Sequence, residues 1–193
     1  MATRLQTAGT PKAVPEREIE ARLKTLEEKL VALEARVPED RVSLVVFSGE
    51  LDRILEAFVI ATGAVALGQQ VSMFFTFWGL AGLRRKRVVS GKRLGEKLMA
   101  LLSPSSRNHL PMSRLNLFGV GSHVMRRMMR DKHVASLEDL MRIVRRMGAR
   151  IVACETSRDV MGVRDEELID DLEFGGMASF LGDALRSRVT LFI

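Results

Sequence analysis

Residues 57–83 carry no charge, and this window constrains the fold more than any other part of the sequence. An apolar stretch of this length is typical of a membrane span. Here, however, Gly68-Gln69-Gln70 interrupts the window, and Ser72 and Thr76 lie in its strand-like second half. A buried helix followed by a buried strand of a parallel sheet is also apolar throughout. The pattern therefore favours an α/β domain, while the basic residues 84–87 keep peripheral membrane contact open as an alternative.

Around this window, short apolar runs alternate with amphipathic segments, and polar turn residues separate them. We expect strands at 42–47, 71–77, 151–154 and 189–193, helices at 50–67, 94–102, 122–130, 137–147, 164–172 and 177–185, and a turn at Gly175-Gly176. Strands that alternate with helices indicate a mostly parallel sheet. The sequence therefore predicts an α/β domain over residues 41–193.

The chain before this domain has a different period. Residues 1–15 are polar and predict a disordered lead-in, whereas residues 16–38 predict a heptad helix. Apolar residues form its seam at Ile19, Leu23, Leu26, Leu30, Leu33 and Val37. Basic g positions (Arg22, Lys29, Arg36) and acidic e positions (Glu20, Glu27, Glu34) are complementary only between parallel helices. We expect a parallel homo-oligomerisation helix; the alternative is an amphipathic helix that packs on its own domain.

The net charge of +6 is concentrated in one block, because residues 84–133 contain 13 basic and 2 acidic residues. Residues 84–135 are also longer than an ordinary α/β connection, which predicts a basic helical insertion that docks an anionic partner. Phe118 is the only aromatic residue in the basic block. The absence of further stacking residues disfavours nucleic acid as the partner.

Cys154 is the only cysteine, so an internal disulfide is excluded. The first residues lack the apolar block of a signal peptide, and together these features predict a reducing, cytoplasmic location. The buried-looking run 151–153 places the thiol at the carboxyl end of a strand, where α/β proteins bind ligands.

Two readings of Cys154 remain open from the residues themselves. Backbone N–H groups of a following helix would stabilise a thiolate, and Arg158 would offset the unfavourable Glu155. A single apolar-flanked cysteine is also typical of a structural core position, and the residues by themselves favour this second interpretation.

Metal and cofactor sites have no support in the sequence. The three histidines, His109, His123 and His133, lie in the insertion without a ligand spacing, and no Gly-rich phosphate loop occurs. We therefore expect no metal and no cofactor.

Four segments resemble the DsrE/DsrF-like sulfurtransferase family, in its longer, "peroxiredoxin-related" DsrE-like branch: residues 45–52, 73–80, 153–162 and 190–193. The resemblance implies a flavodoxin-like three-layer α/β fold, an oligomer, and sulfur relay. In such a relay Cys154 would carry sulfane sulfur as a persulfide between rhodanese-type and TusA-type proteins. By position, Ser48, Gly49 and Trp78 would line the same pocket, and Arg158 would hold the anion.

The single cysteine departs from relatives that have several, and it disfavours a peroxidase mechanism that needs a resolving thiol. Whether the protein is a sulfurtransferase enzyme or a carrier stays open. The rival class is a non-catalytic oligomeric scaffold, or a membrane-surface adaptor, in which Cys154 is buried and structural.

Overall fold

The computed structural model describes residues 15–34, 37–114 and 119–193. Its contacts divide the chain into two compact units, Met1–Val37 and Pro38–Ile193. The predicted lead-in, apart from Pro15, lies outside the described residues, as does Arg36 of the predicted seam charges.

The first unit contains one described helix, α1 (Glu16–Glu34). None of its residues is buried, and the seam side chains from Ile19 to Leu33 are all exposed. An ion pair between Arg22 and Glu18 at 2.7 Å supports the helix along its own surface. An exposed apolar seam suits a partner helix, so the oligomer stays a prediction.

The second unit is built on a five-stranded sheet. Its strands are β1 (Glu39–Val46), β2 (Gln70–Phe75), β3 (Arg150–Cys154), β4 (Glu173–Gly175) and β5 (Ser187–Phe192), in the order β4-β3-β2-β1-β5. Every neighbouring pair is parallel. The predicted parallel α/β sheet is therefore confirmed, and the carboxyl ends of all five strands meet at one edge.

Helices cover both faces of this sheet. They are α2 (Leu51–Ala66) and α5 (Leu137–Arg146) on one face and α7 (Met177–Ala184) on the other. The other described helices of this unit are α3 (Leu94–Leu102), α4 (Val120–Asp131) and α6 (Glu155–Val160). The main core lies between the sheet and the paired helices α2 and α5, and a smaller cluster lies on the α7 side. Alternate strand residues enter the two clusters: Ala153 belongs to the main core, and Cys154 to the α7 cluster.

Helix α7 is fixed to the sheet by a buried carboxylate. Asp183 accepts hydrogen bonds from Ser72 at 2.8 Å, from Arg41 at 2.7 Å and from Arg150 at 2.6 Å. These three donors come from β2, β1 and β3 near their amino ends. The network therefore holds the last turn of α7 at the amino edge of the sheet, and the first turn lies toward the carboxyl edge.

The second predicted strand is shorter than expected. It ends at Phe75 instead of continuing to residue 77, and residues Phe77–Leu83 form a 3₁₀ helix. In this turn the Gly79 N–H bonds to the Thr76 carbonyl at 3.0 Å, and a glycine is required there because a Cβ would lie 2.0 Å from the Val46 carbonyl oxygen. Phe77 enters this turn with a φ of 46°, in the left-handed region.

The helix predicted at 164–172 was wrong. Only Asp165–Glu167 forms a 3₁₀ turn, and the chain then bends at Asp170 and Asp171, where Asp171 has a φ of 57°. Strand β4 follows and includes Gly175 of the expected Gly175-Gly176 turn. The backbone N–H of Ile169 bonds to the Leu83 carbonyl at 3.0 Å, and Leu168 bridges to Arg84. These bonds to a distant segment replace the bonds of a helix.

The basic insertion contains α3 and α4 among its described residues, as predicted. The uncharged window folds as most of α2, as β2 and as the 3₁₀ segment. Within the described ranges, no helix combines the length and the apolar character needed to cross a membrane.

Candidate functional site

Four of the predicted site residues lie at or just after the carboxyl ends of central strands. Ser48 and Gly49 follow β1, Trp78 follows β2, and Cys154 ends β3. Parallel pairing of these strands brings the three ends side by side. The sheet edge identified from the sequence therefore exists, and the side chains on it divide into two environments.

Ser48, Gly49 and Trp78 share the first environment, a cavity of about 510 Å³. Its walls come from the ends of β1 and β2, from the insertion, and from the segment after α6. Gly49 fits because a Cβ there would lie 2.7 Å from the Trp78 carbonyl oxygen. Gly79 donates its N–H to the Phe47 carbonyl at 2.8 Å, which fixes the 3₁₀ segment against β1.

The cavity is bordered by a buried charge cluster that sequence reasoning missed. Glu167 is fully buried and forms an ion pair with Lys92. Arg84 lines the cavity, and its Nε lies 3.5 Å from Glu167 Oε2. In the sequence, Arg84 is the first of four consecutive basic residues. Nothing in that run distinguishes a buried arginine from solvated neighbours, so only the fold reveals it.

Cys154 lies in the second environment. Cys154 is 4% exposed, and its side chain packs in the α7 cluster with Val45, Phe74, Val152 and Phe180. Across the sheet it pairs with Gly175 of β4. Cys154 is not among the described residues that line the 510 Å³ cavity, so the thiol and the three cavity residues face different spaces.

A buried hydroxyl pair joins the two environments. Thr76, directly after β2, lies 2.7 Å from Ser157 of α6, oxygen to oxygen, and both side chains are buried. One hydroxyl donates to the other, so both buried oxygens take part in a hydrogen bond. This contact fixes α6, and with it Cys154 at its N-cap, to the end of the neighbouring strand.

Arg158 is held by two carboxylates. Its guanidinium donates to Asp159 at 3.0 Å and to Asp165 at 2.8 Å, and lies 5.0 Å from the centre of the Phe174 ring. Burial opposes the charge, but the bond to Asp159 and the charge of Asp165 outweigh it and raise the pKa of Arg158 above its ordinary value. Phe174 pairs with Ala153 and not with Cys154. The described contacts therefore direct Arg158 to these acids and not to the thiol.

The described residues contain no cluster of three or more His, Cys, Asp or Glu side chains arranged to hold a metal ion. The three histidines are dispersed: His109 bonds to Ser106, and His123 and His133 lie in or just after α4.

Residues 38–192 match the DsrE/DsrF/DrsH-like family, and the chain belongs to that family. This confirms the resemblance found in the sequence.

Two relatives cover nearly the same region. The chain is 33% identical to the uncharacterized protein YrkE of Bacillus subtilis (strain 168) over 154 residues, which is 79% of this chain and 96% of YrkE. It is 29% identical to the sulfur carrier protein DsrE2 of Allochromatium vinosum over 157 residues, which is 80% of this chain and 99% of DsrE2. Among solved structures, the ychN protein from E. coli aligns with a TM-score of 0.45 at 14% identity, covering 79% of this chain and 98% of ychN.

Proposed function

We propose that this protein is a sulfur carrier that holds sulfane sulfur as a persulfide on Cys154. The observation that supports this most is the position of the only cysteine, at the carboxyl end of β3, in a chain whose family includes a sulfur carrier protein. A relay through one thiol needs no disulfide, which suits a chain with a single cysteine.

The chemistry is an exchange between thiolates and a persulfide. The Cys154 thiolate attacks the outer sulfur of a donor persulfide, a new S–S bond forms, and the donor departs as a thiolate. The product is Cys154–S–SH, without net oxidation or reduction. In the second transfer, an acceptor thiolate attacks the outer sulfur of the Cys154 persulfide. The Cys154 thiolate is the leaving group, and the acceptor becomes the persulfide.

A partner protein can reach the buried Cys154 thiol only if the residues that cover it move away. Phe180 and the edge strand β4 cover Cys154, and both belong to short elements at one side of the sheet. We propose that carrier docking displaces this cover. Arg158 would then release Asp159 or Asp165 and stabilise the persulfide anion.

Rhodanese-type donors and TusA-type acceptors are the proposed partners, in a cytoplasm that keeps thiols reduced. The basic insertion would dock an acidic carrier, since α4 exposes Arg127 beside other basic residues. The exposed seam of α1 would assemble the oligomer.

Burial of Cys154 favours a second candidate, an oligomeric scaffold in which the cysteine is a small apolar core residue. A scaffold would keep the thiol covered under all conditions, whereas a carrier must expose it to its partners. The two candidates therefore differ in whether sulfur passes through the chain.

A three-protein assay tests the relay. A rhodanese-type donor is loaded with labelled sulfane sulfur, incubated with this protein, and separated before a TusA-type acceptor is added. The relay predicts label on wild type and then on the acceptor, none on Cys154→Ser, and slower transfer by Arg158→Gln. Label that reaches the acceptor equally well with Cys154→Ser would exclude the proposed role of Cys154.

A further inference from the structure

Arg84 is a buried cation in the wall of the 510 Å³ cavity, and its hydrogen-bond donors are only partly satisfied. Its side chain is 3% exposed, yet it lines the cavity. Nη1 donates to the Pro104 carbonyl at 3.1 Å, Nε has no hydrogen-bond partner, and Nη2 bonds to no described residue. A guanidinium has five N–H donors, and the buried Nε of Arg84 lies 3.5 Å from Glu167 Oε2, too far for a good hydrogen bond. Buried charged donors without acceptors are costly.

Among the described residues, Arg84 pairs with one carboxylate, Glu167, and shares it with Lys92. Glu167 already pairs with Lys92 through Oε1, which additionally accepts the Arg164 N–H. Two buried cations therefore share one carboxylate. Burial lowers the pKa of Arg84, the Glu167 charge raises it in part, and nearby Arg87 lowers it further. An anion entering from the cavity would relieve both the missing hydrogen bonds and the surplus charge.

The rest of the lining limits what this anion can be. Most of it is apolar, including Phe47, Trp78, Leu80, Leu102, Met161 and Val163. Glu50 is the only acidic residue of the described lining, and it accepts the Ser48 hydroxyl at 2.6 Å. One basic and one acidic group disfavour a multiply charged ligand, and the apolar walls favour an organic body. A volume of about 510 Å³ is typical of small-molecule sites.

We propose that this cavity binds a small organic monoanion with an apolar body, whose anionic group bonds to Arg84 and whose body packs against Trp78. The proposal goes beyond sulfur relay and does not depend on it, because Cys154 is not part of the described lining.

Trp78 is the only tryptophan of the chain, so all energy transfer to a bound probe starts from one residue of the cavity lining. Two probes differ in charge but share one chromophore: 8-anilinonaphthalene-1-sulfonate is an anion, and N-phenyl-1-naphthylamine lacks the sulfonate. We expect energy transfer from Trp78 to the sulfonate probe that saturates at one probe per chain. The neutral probe should bind more weakly.

Arg84→Gln should weaken binding of the sulfonate probe by about ten- to a hundredfold, the loss expected for a charged hydrogen-bond partner, and leave the neutral probe unchanged. The Lys92–Glu167 pair remains balanced in this variant. Arg84→Lys should keep the preference for the anion. Arg85→Gln is the matched control, because Arg85 is half-exposed and pairs with Asp170. Cys154→Ser should bind like wild type, which separates this site from the relay.

Equal affinity of wild type for the two probes would overturn the proposal, and this comparison needs no variant to fold. Binding of several sulfonate probes per chain without energy transfer from Trp78 would overturn it as well. So would unchanged sulfonate binding by Arg84→Gln with a wild-type circular dichroism spectrum.

Discussion

The ring of Phe180 on α7 packs against that of Phe74 on β2, with 5.5 Å between their centroids. Both rings belong to the small cluster that encloses Cys154. The sulfur-accepting atom proposed for this protein is therefore covered by a helix of only eight residues, and its reactivity should depend on how often that cover opens.

Shortening the covering side chain should expose the thiol. Phe180→Ala removes the ring that packs on Phe74 and should raise the rate at which a thiol reagent modifies Cys154 by at least about tenfold, provided local opening limits that rate. Leu181→Ala is the control, because Leu181 is exposed on the same helix. Reaction rates of the folded proteins are compared under pseudo-first-order conditions. An equal rate in wild type and Phe180→Ala would mean that α7 does not control access.

Loss of the Asp183 carboxylate should destabilise the fold strongly. Asp183→Ala leaves the guanidinium groups of Arg41 and Arg150 without their shared buried acceptor. Breaking a buried pair in this way costs about 3–5 kcal/mol in the free energy of unfolding. Asp170→Ala, which removes an exposed partner of Arg85, should cost at most about 1 kcal/mol. Urea unfolding followed by circular dichroism measures both, and similar costs for the two variants would refute the anchoring role.

The edge strand β4 should loosen in acid. Hydrogen bonds from Arg150 hold the pKa of Glu173 below its ordinary value of 4.5, although partial burial opposes them. A carboxylate with a lowered pKa stabilises the folded state fully above pH 4.5, and this contribution is lost as the pH falls through the lowered value. The stability difference between wild type and Glu173→Gln should therefore be largest near neutral pH and vanish in strong acid.

Unfolding curves at a series of pH values measure that difference. Glu166→Gln is the control, since Glu166 is about as exposed and forms only a long ion pair with Arg164. A difference between wild type and Glu173→Gln that does not change with pH would contradict the predicted linkage.

The seam of α1 should control the oligomeric state. Leu26→Asp places a charge in the apolar seam and should lower the mass measured by sedimentation equilibrium. Val31→Asp is a matched control, because Val31 is an equally exposed apolar residue outside the seam. An unchanged mass for Leu26→Asp would exclude assembly through this helix, and an equal drop for both variants would argue against the heptad register.

The sequence was sufficient to place Cys154, because an apolar run followed at once by polar helix-starting residues marks the carboxyl end of a buried strand. It also grouped Ser48, Gly49 and Trp78, since parallel strands bring successive carboxyl ends together. It could not show which face of the sheet the thiol occupies. That depends on the register of β3 against its neighbours and on a helix packed across them.

Two other features, the burial of Arg84 and strand β4, could not be predicted from the sequence. The burial of Arg84 depends on Glu167, which lies far along the chain, and a run of basic residues ordinarily indicates a solvated surface. Strand β4 has only three residues, Glu173–Gly175, and lacks an apolar alternation. Pairing with β3 and the hydrogen bonds from Arg150 to Glu173 hold β4 in the sheet. Neither contact can be predicted from the local sequence of residues 173–175.

The most direct test of the sulfur-carrier account is the intact mass of the protein after incubation with a sulfane-sulfur donor. A sulfur carrier should gain one sulfur atom per chain, located on the peptide that contains Cys154, reversed by a reductant and absent in Cys154→Ser. A wild-type mass that stays unchanged with several donors, including a persulfidated rhodanese-type protein, would contradict it.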